Sequence, residues 1–173
     1  MYYISYGSNM NLQQMSYRCP NTKVYGNGKI FGWKLVFNFH ADIIETKNKK
    51  DFVPVVVWKL EDDRDLMSLD KYEGYPKYYT KIIIPVTMDS GETVRAMVYV
   101  MADDRKGIYP PTVDYFNCIK EGYMDNEINT KPLYDAVKEC CIVDNITEYN
   151  QYNPRSQRKT QQKSRKSKKR QVV

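Results

Sequence analysis

The segment from Val53 to Leu60 most constrains what this chain can fold into, because it is a near-continuous run of apolar, mostly β-branched residues. A strand of this kind predicts burial on both faces, which requires that other parts of the chain cover it. Similar runs predict four more strands, over Tyr2 to Tyr6, Lys29 to Phe39, Tyr78 to Val86 and Thr93 to Met101. Alternation along the second of these places Leu35, Phe37 and Phe39 on one face.

Helical segments are predicted between and after these strands. Capping residues and apolar spacing indicate four of them, over Asn11 to Tyr17, Asp62 to Tyr72, Pro110 to Tyr123 and Lys131 to Cys141. The turn from Asp89 to Glu92 predicts a hairpin between the last two strands. Hairpins combined with inserted helices are typical of an α+β fold. The expected architecture is a mostly antiparallel, barrel-like mixed sheet of about five to six strands.

The formal net charge of +6 belongs to the end of the chain. From Pro154 to Val173 there are nine Lys and Arg residues and no Asp or Glu, which leaves 18 basic and 21 acidic residues elsewhere. We therefore predict one domain over residues 1–150 and a basic, disordered tail over residues 151–173. Residues 155–170 are predicted to make weak contact with nucleic acid or an acidic surface. The alternative is a tail that only adds solubility.

The rest of the composition predicts a cytoplasmic protein without metal or cofactor. No apolar run approaches the roughly 20 residues of a membrane helix, and Met1 to Ser5 does not resemble a signal peptide. The single histidine, His40, is interpreted as a structural strand-end residue, because sites are marked by clusters of ligands. The four cysteines show no framework spacing: Cys19, Cys118, Cys140 and Cys141. The oligomeric state stays open.

Glu73 is the strongest candidate for a catalytic residue. It stands at the predicted end of a helix, immediately before Gly74, which is suited to the left-handed residue that follows a helix. The negative end of the helix dipole and the nearby Asp70 disfavour a second negative charge, so the pKa of Glu73 is predicted to rise. A carboxyl group of this kind suits proton transfer near neutral pH. The alternative is an ordinary solvated glutamate at a helix end.

A second candidate element is the sequence Tyr6-Gly7-Ser8-Asn9-Met10, directly after the first strand. Gly7 allows a sharp turn and a close approach of the backbone to a ligand. The amides from Ser8 to Met10 can converge on a carboxylate or an oxyanion. The alternative is an ordinary turn, since Gly, Ser and Asn are common turn residues.

Together these two elements resemble the gamma-glutamylcyclotransferase family. The family pattern pairs Tyr-Gly-Ser-Asn-Leu near the N-terminus with Leu-Asp-x-x-Glu-Gly before an aromatic-led strand, and the likeness covers about residues 1–142. The resemblance implies that Glu73 is the catalytic acid and base, and that Tyr115 contacts the substrate. It also implies that aromatic residues Tyr79 and Tyr99 shape the pocket. The main-chain cradle for the glutamyl group is implied for Tyr3, Ile4, Ser5, Tyr6, Gly7, Ser8 and Asn9.

The implied reaction is an intramolecular aminolysis of a γ-glutamyl amide that releases 5-oxoproline. The leaving group stays open, and the segment Lys50 to Pro54 departs from the glycine-containing residues that often precede the central strand of the family. Met10 replaces the usual leucine, which is a mild change at an apolar position. Two alternatives remain: a non-catalytic protein that binds a small metabolite in the same pocket, and a nucleic-acid-tethered adaptor that acts through the tail.

Overall fold

The structure is a computed structural model that describes residues 1–143 and residue 152. Within these residues the chain forms seven strands and four α-helices. The strands are β1 (Tyr2–Ser5), β2 (Lys23–Phe31), β3 (Trp33–Asn38), β4 (His40–Glu45), β5 (Phe52–Lys59), β6 (Tyr79–Met88) and β7 (Thr93–Met101). The helices are α1 (Leu12–Arg18), α2 (Asp63–Glu73), α3 (Val113–Asp125) and α4 (Lys131–Val143).

Five of the strands close into a barrel in the order β1-β5-β2-β6-β7. Each neighbouring pair is antiparallel except β1 and β7, whose parallel pairing sets Tyr3 opposite Met97 and Ile4 opposite Val98. The predicted α+β fold with a mostly antiparallel, barrel-like mixed sheet is confirmed. Closure leaves no free sheet edge in the barrel, because every strand has a partner on both sides.

β5 is the strand that the sequence identified as buried on both faces. Every residue from Val53 to Trp58 is buried, and β5 pairs with β1 on one side and β2 on the other. Val56 lies opposite Ser5 of β1 and opposite Asn27 of β2. The continuous apolar run therefore reflects a strand with a core on each side, as in other doubly covered strands.

The prediction of one strand from Lys29 to Phe39 is wrong. The chain turns at Gly32, so β2 ends at Phe31 in the barrel and β3 begins a separate two-stranded sheet with β4. Leu35 and Phe37 are buried as expected, but Phe39 is 55% exposed. Its φ of 58° reverses the chain between β3 and β4, which breaks the alternation. β4 is a further strand that the sequence pattern did not predict.

The helix ends follow the predicted local signals. The Asp62 side chain accepts hydrogen bonds from the amides of Arg64 and Asp65 at the start of α2. Gly74 adopts the left-handed conformation with φ of 64°, which terminates α2 directly after Glu73. Side chains of Asn11 and Thr112 cap α1 and α3 in the same way as Asp62 caps α2.

Helix α3 lies against the 3-10 turn Ser8–Met10 that follows β1, and Gly122 makes this contact possible. A Cβ atom at Gly122 would lie 2.6 Å from the Asn11 nitrogen and 2.6 Å from the Met10 carbonyl carbon. Beside it, the Asn126 side chain donates to the Met10 carbonyl oxygen at 2.9 Å. The turn is therefore held from behind by α3.

Beyond α4 the structure describes only Tyr152, whose ring is buried 5.0 Å from the Phe116 ring. The predicted tail over residues 151–173, apart from Tyr152, and the boundary at residue 150 lie outside the described residues, as do residues 155–170. Within residues 1–143 and 152, no helix has the length and apolar character needed to cross a membrane.

We expect Gly122→Ala to destabilise the protein, although alanine normally favours a helix interior by up to about 1 kcal/mol. The added Cβ would overlap with backbone at Met10 and Asn11, and overpacking of this kind typically costs about 1–3 kcal/mol. Urea unfolding measures the difference. Met124→Ala, at an exposed position of the same helix, is the control. A more stable Gly122→Ala would show that the turn and α3 are not in close contact.

Candidate active site

A cavity of about 410 Å³ lies where the turn after β1 meets the end of α2. Residues from five other elements or their ends complete its wall, so the site depends on barrel closure and on the β3–β4 sheet. The lining residues are Tyr3, Ile4, Tyr6, Gly7, Ser8, Asn9, His40, Ala41, Lys71, Tyr72, Glu73, Gly74, Tyr78, Tyr79, Tyr99 and Tyr115.

The structure brings Glu73 and nine of the ten predicted binding residues to this one cavity. Ser5 is the exception and does not line it. Its hydroxyl donates to the Val56 carbonyl oxygen at 3.3 Å and accepts from the Trp58 indole nitrogen at 2.9 Å, which ties β1 to β5. The proximity of the other residues is a finding, while their roles in binding remain predictions.

Glu73 has a pKa raised from its usual 4.5 to about 7. The main cause is burial of its carboxyl group, which penalises the charged form. The Arg18 charge and a hydrogen bond from Asn9 Nδ2 to Glu73 Oε1, 2.8 Å long, lower the pKa and only partly offset burial. The carboxyl group is therefore able to gain and release a proton near neutral pH.

Asp70 does not act on Glu73 in the way that the sequence predicted. Its carboxylate pairs with Lys81 Nζ at 2.9 Å and accepts a hydrogen bond from the Tyr99 hydroxyl at 2.5 Å. The charge of Asp70 is thus compensated by a cation, and it is not among the causes of the Glu73 pKa shift. The predicted direction of that shift holds, but burial is its main cause.

Among the described residues, two backbone amides of the turn after β1, those of Ser8 and Asn9, have no hydrogen-bond partner, whereas three were predicted to be available. Met10 N donates to the Gly7 carbonyl oxygen at 3.0 Å, so the Met10 amide is used within the turn. Ser8 and Asn9 begin the 3-10 segment, where amides have no partner inside the helix. A Cβ at Gly7 would lie 3.3 Å from the Ala41 Cβ, a tight contact, and 3.4 Å from the Tyr115 hydroxyl.

Tyrosine hydroxyls form much of the wall, and main-chain groups hold three of them. Tyr6 donates to the Tyr99 carbonyl oxygen at 2.8 Å, and Tyr79 donates to the Ala41 carbonyl oxygen at 3.0 Å. The Ala41 amide donates to the Tyr115 hydroxyl at 3.3 Å. Burial raises the pKa of Tyr6, Tyr79 and Tyr115 above the usual value of 10, so these hydroxyls are neutral.

Several residues of the site were not predicted from the sequence. His40, interpreted as structural, lines the cavity with its ring 5.2 Å from the Tyr115 ring. Tyr72 lines it as well, and the Arg18 guanidinium lies over the Tyr72 ring at 3.6 Å. Arg18 and Tyr72 are 54 positions apart in the chain, so no local pattern links them. The only signal at Arg18 is a basic residue in the last turn of a helix.

The fold and the site together define a small α+β barrel protein with one protonatable carboxyl group in a tyrosine-lined cavity. Residues 3–117 match the sequence model of the family described as gamma-glutamyl cyclotransferase, AIG2-like. The chain belongs to this family, which confirms the resemblance found in the sequence. A protein of Bos taurus named gamma-glutamylcyclotransferase is 28% identical over 135 residues, which are 72% of this chain and 70% of that protein.

Solved structures support the same fold. A structure titled gamma-glutamyl cyclotransferase matches with a TM-score of 0.70 at 23% identity, over 79% of this chain and 85% of that chain. An uncharacterized protein from Homo sapiens matches with a TM-score of 0.68 at 24% identity, over 78% of this chain and 85% of that chain. At these identities the two structures show a shared fold and nothing more.

The raised pKa of Glu73 predicts that Glu73→Gln becomes more stable than wild type as pH rises. The folded protein holds its proton up to about pH 7, whereas the unfolded chain releases it near 4.5. The free energy of unfolding of the wild type therefore decreases as pH rises from 4.5 to about 7. Above this range the variant is expected to be roughly 3 kcal/mol more stable than the wild type. Below about pH 4 the two proteins should differ little, since Glu73 is then protonated in the folded and in the unfolded wild-type protein.

Urea unfolding at about pH 4 and about pH 9 measures this difference. Glu45→Gln, at an exposed position at the end of β4, is the matched control and should show no comparable change. A Glu73→Gln effect that is the same at both pH values would show that the carboxyl group has an ordinary pKa.

Proposed function

We propose that this protein is a cyclotransferase that cleaves a γ-glutamyl amide and releases 5-oxoproline with a free amine or amino acid. The observation that carries the proposal is the Glu73 carboxyl group, which combines a pKa of about 7 with a place on the wall of the cavity. Membership of the gamma-glutamyl cyclotransferase family supports it, as does the name of the Bos taurus relative.

In the proposed reaction the substrate supplies its own nucleophile. Glu73 takes a proton from the α-ammonium group, and the resulting amine attacks the γ-carbonyl carbon to form a five-membered ring. The bond from that carbon to the departing nitrogen then breaks while Glu73 returns the proton to this nitrogen. The ring nitrogen loses its second proton, which the released amine takes up to leave as an ammonium group. One carboxyl group is enough for both transfers, because the short tether between amine and carbonyl already favours ring closure.

The turn after β1 is suited to hold the negative groups of this substrate. Ser8 and Asn9, whose amides begin the 3-10 segment, line the same cavity as Glu73. Backbone N–H groups stabilise a carboxylate or a developing oxyanion well when they are fixed in place before the reaction. Here α3 fixes the turn through Gly122 and Asn126. We infer that these amides bind the α-carboxylate of the glutamyl group or the oxyanion of ring closure.

The exposed part of the cavity wall, which includes Lys71 and Tyr78 and which we call the entrance, favours a leaving group with a negative charge. Lys71 lines the cavity, and within the described residues it forms no ion pair. Lys77 lies beside the lining residue Tyr78, with Nζ 5.8 Å from its ring centre. Arg105 lies there as well, with Cζ at 4.6 Å, but it pairs with Asp104 at 3.7 Å. Among the lining residues in the described part of the chain, Glu73 alone is acidic. A leaving group that carries a carboxylate is therefore expected to react faster than an uncharged one.

Glu73→Gln is expected to lower kcat/KM for 5-oxoproline release at least about a hundredfold, because it removes the group that transfers the proton while keeping the side-chain shape. The assay uses a panel of γ-glutamyl amino acids and γ-glutamyl amines, with Glu45→Gln as control. Turnover that survives in folded Glu73→Gln would exclude Glu73 from this role. Binding without turnover in the wild type would favour a metabolite-binding protein.

Lys71→Gln is expected to reduce the preference for a charged leaving group. The comparison uses γ-glutamylglycine and γ-glutamylglycinamide, which differ only in the carboxylate of the leaving group. The ratio of their kcat/KM values should fall on the order of fivefold in Lys71→Gln, since a partly exposed charge pair contributes up to about 1 kcal/mol. Lys138→Gln, at an exposed position of α4, should keep the wild-type ratio. An unchanged ratio in Lys71→Gln would exclude a role for Lys71 in selectivity.

A further inference from the structure

Arg18 does not line the cavity, yet its guanidinium contacts three residues that do. It donates to the Ser8 hydroxyl at 3.3 Å, to the Tyr72 hydroxyl at 2.6 Å and to Oδ1 of Asn9. Gln14, one turn earlier on α1, accepts from the same group at 2.6 Å. The guanidinium also stacks on the Tyr72 ring at 3.6 Å. Arg18 therefore joins the turn after β1 to the last turn of α2.

The contact with Asn9 decides which end of the Asn9 amide faces Glu73. Arginine has donors and no acceptor, so only the oxygen of Asn9 can hydrogen-bond to it. With Oδ1 facing Arg18, the amide nitrogen points the other way and donates to Glu73 Oε1 at 2.8 Å and to the Tyr3 hydroxyl at 2.7 Å. The reverse orientation would set Oδ1 against the Glu73 carboxylate and bring two donors together at Arg18.

We propose that Arg18 is a positioning residue that holds the Asn9 amide nitrogen on Glu73 and anchors Tyr72 at the edge of the cavity. This inference rests on the proposed role of Glu73 as the acid and base. Arg18 contacts no group that reacts, and it acts through Asn9 and Tyr72. The planar, forked guanidinium group is needed because it donates hydrogen bonds to Asn9, Tyr72 and Gln14 at once. A lysine ammonium group cannot do this in the same geometry.

The same contacts favour the ionised form of Glu73. Both the Arg18 charge and the Asn9 hydrogen bond lower the pKa of Glu73, against the effect of burial. Burial raises the pKa of five of the tyrosines that line the cavity with Glu73, so they add no charge; they are Tyr3, Tyr6, Tyr79, Tyr99 and Tyr115. The other titratable residues that line it are Tyr72, Tyr78, Lys71 and His40. Loss of Arg18 therefore removes a favourable charge and also frees Asn9 to rotate, and both changes disfavour the ionised carboxylate.

The test compares Arg18→Met and Arg18→Lys with the wild type in the pH dependence of kcat/KM. The acidic limb of this profile reports the group that must be deprotonated to act as a base. In Arg18→Met the limb should move to higher pH by about one unit, so that the loss of activity is severe near pH 6 and small near pH 9. Arg18→Lys keeps the charge and should shift the limb less, while still lowering kcat.

The control is Arg64→Met, because Arg64 is exposed and, within residues 1–143 and 152, its side chain bonds only to Asp62. It should keep the wild-type profile. A loss of activity in Arg18→Met that is equal at every pH, together with a lower melting temperature, would show that Arg18 has only a structural role. If Arg18→Met does not fold, Tyr72→Phe in combination with Arg18→Lys tests the same contacts while keeping the charge and the ring.

A second readout separates this inference from the proposed function. The pKa of the Glu73 carboxyl group can be followed directly by carbon NMR in protein labelled at glutamate, with Glu73→Gln assigning the signal. Arg18→Met should raise this pKa whether or not any γ-glutamyl compound is turned over. An unchanged pKa would overturn the positioning role, while a shifted pKa in a protein without turnover would overturn only the proposed function.

Discussion

The parallel pairing of β1 with β7 is the constraint on which the rest of the structure depends. It closes the barrel, and it leaves the chain after β1 at the same end as the C-terminus of α2. The turn Ser8–Met10 is thereby brought to Glu73, although 64 residues separate Asn9 from Glu73 in the chain. The chemistry of the site is thus assembled by sheet closure, because neither segment carries a complete site by itself.

Local signals predicted most of the secondary structure, and long-range contacts explain the misses. Helix ends at Asp62 and Gly74 were predictable because a cap satisfies the groups next to it in sequence. The turn at Gly32 that separates β2 from β3 was not predictable. The two strands form one alternating pattern in the sequence, and they differ only in the strands with which they pair. For the site, the sequence alone identified Glu73 before Gly74 and the turn after β1 as candidates. The pairing of Asp70 with Lys81 and the contact of Arg18 with Tyr72 each join two different elements, so no local pattern predicts them.

The fold keeps the pKa of the Glu73 carboxyl group near the middle of the pH scale. Burial alone would push its pKa further up, while Asn9 and Arg18 bring it down to about 7. The opposing effects come from separate parts of the chain: the wall of tyrosines supplies the low polarity, and α1 with the turn supplies the donors. A pKa near neutrality is therefore the result of a balance, and it does not follow from the position of Glu73 at a helix end.

The tyrosine wall has a consequence for how such a protein diversifies. Tyr6, Tyr79 and Tyr115 are each bonded to backbone of another element, so replacing one of them leaves a buried polar group without its partner. Lys71 and Tyr78, at the entrance, are exposed, and within the described part of the chain their side chains form no such bond to backbone. Evolution can thus exchange the entrance one residue at a time while the inner wall stays fixed. For the proposed reaction, this means that new leaving groups require no change in the part of the cavity that surrounds Glu73.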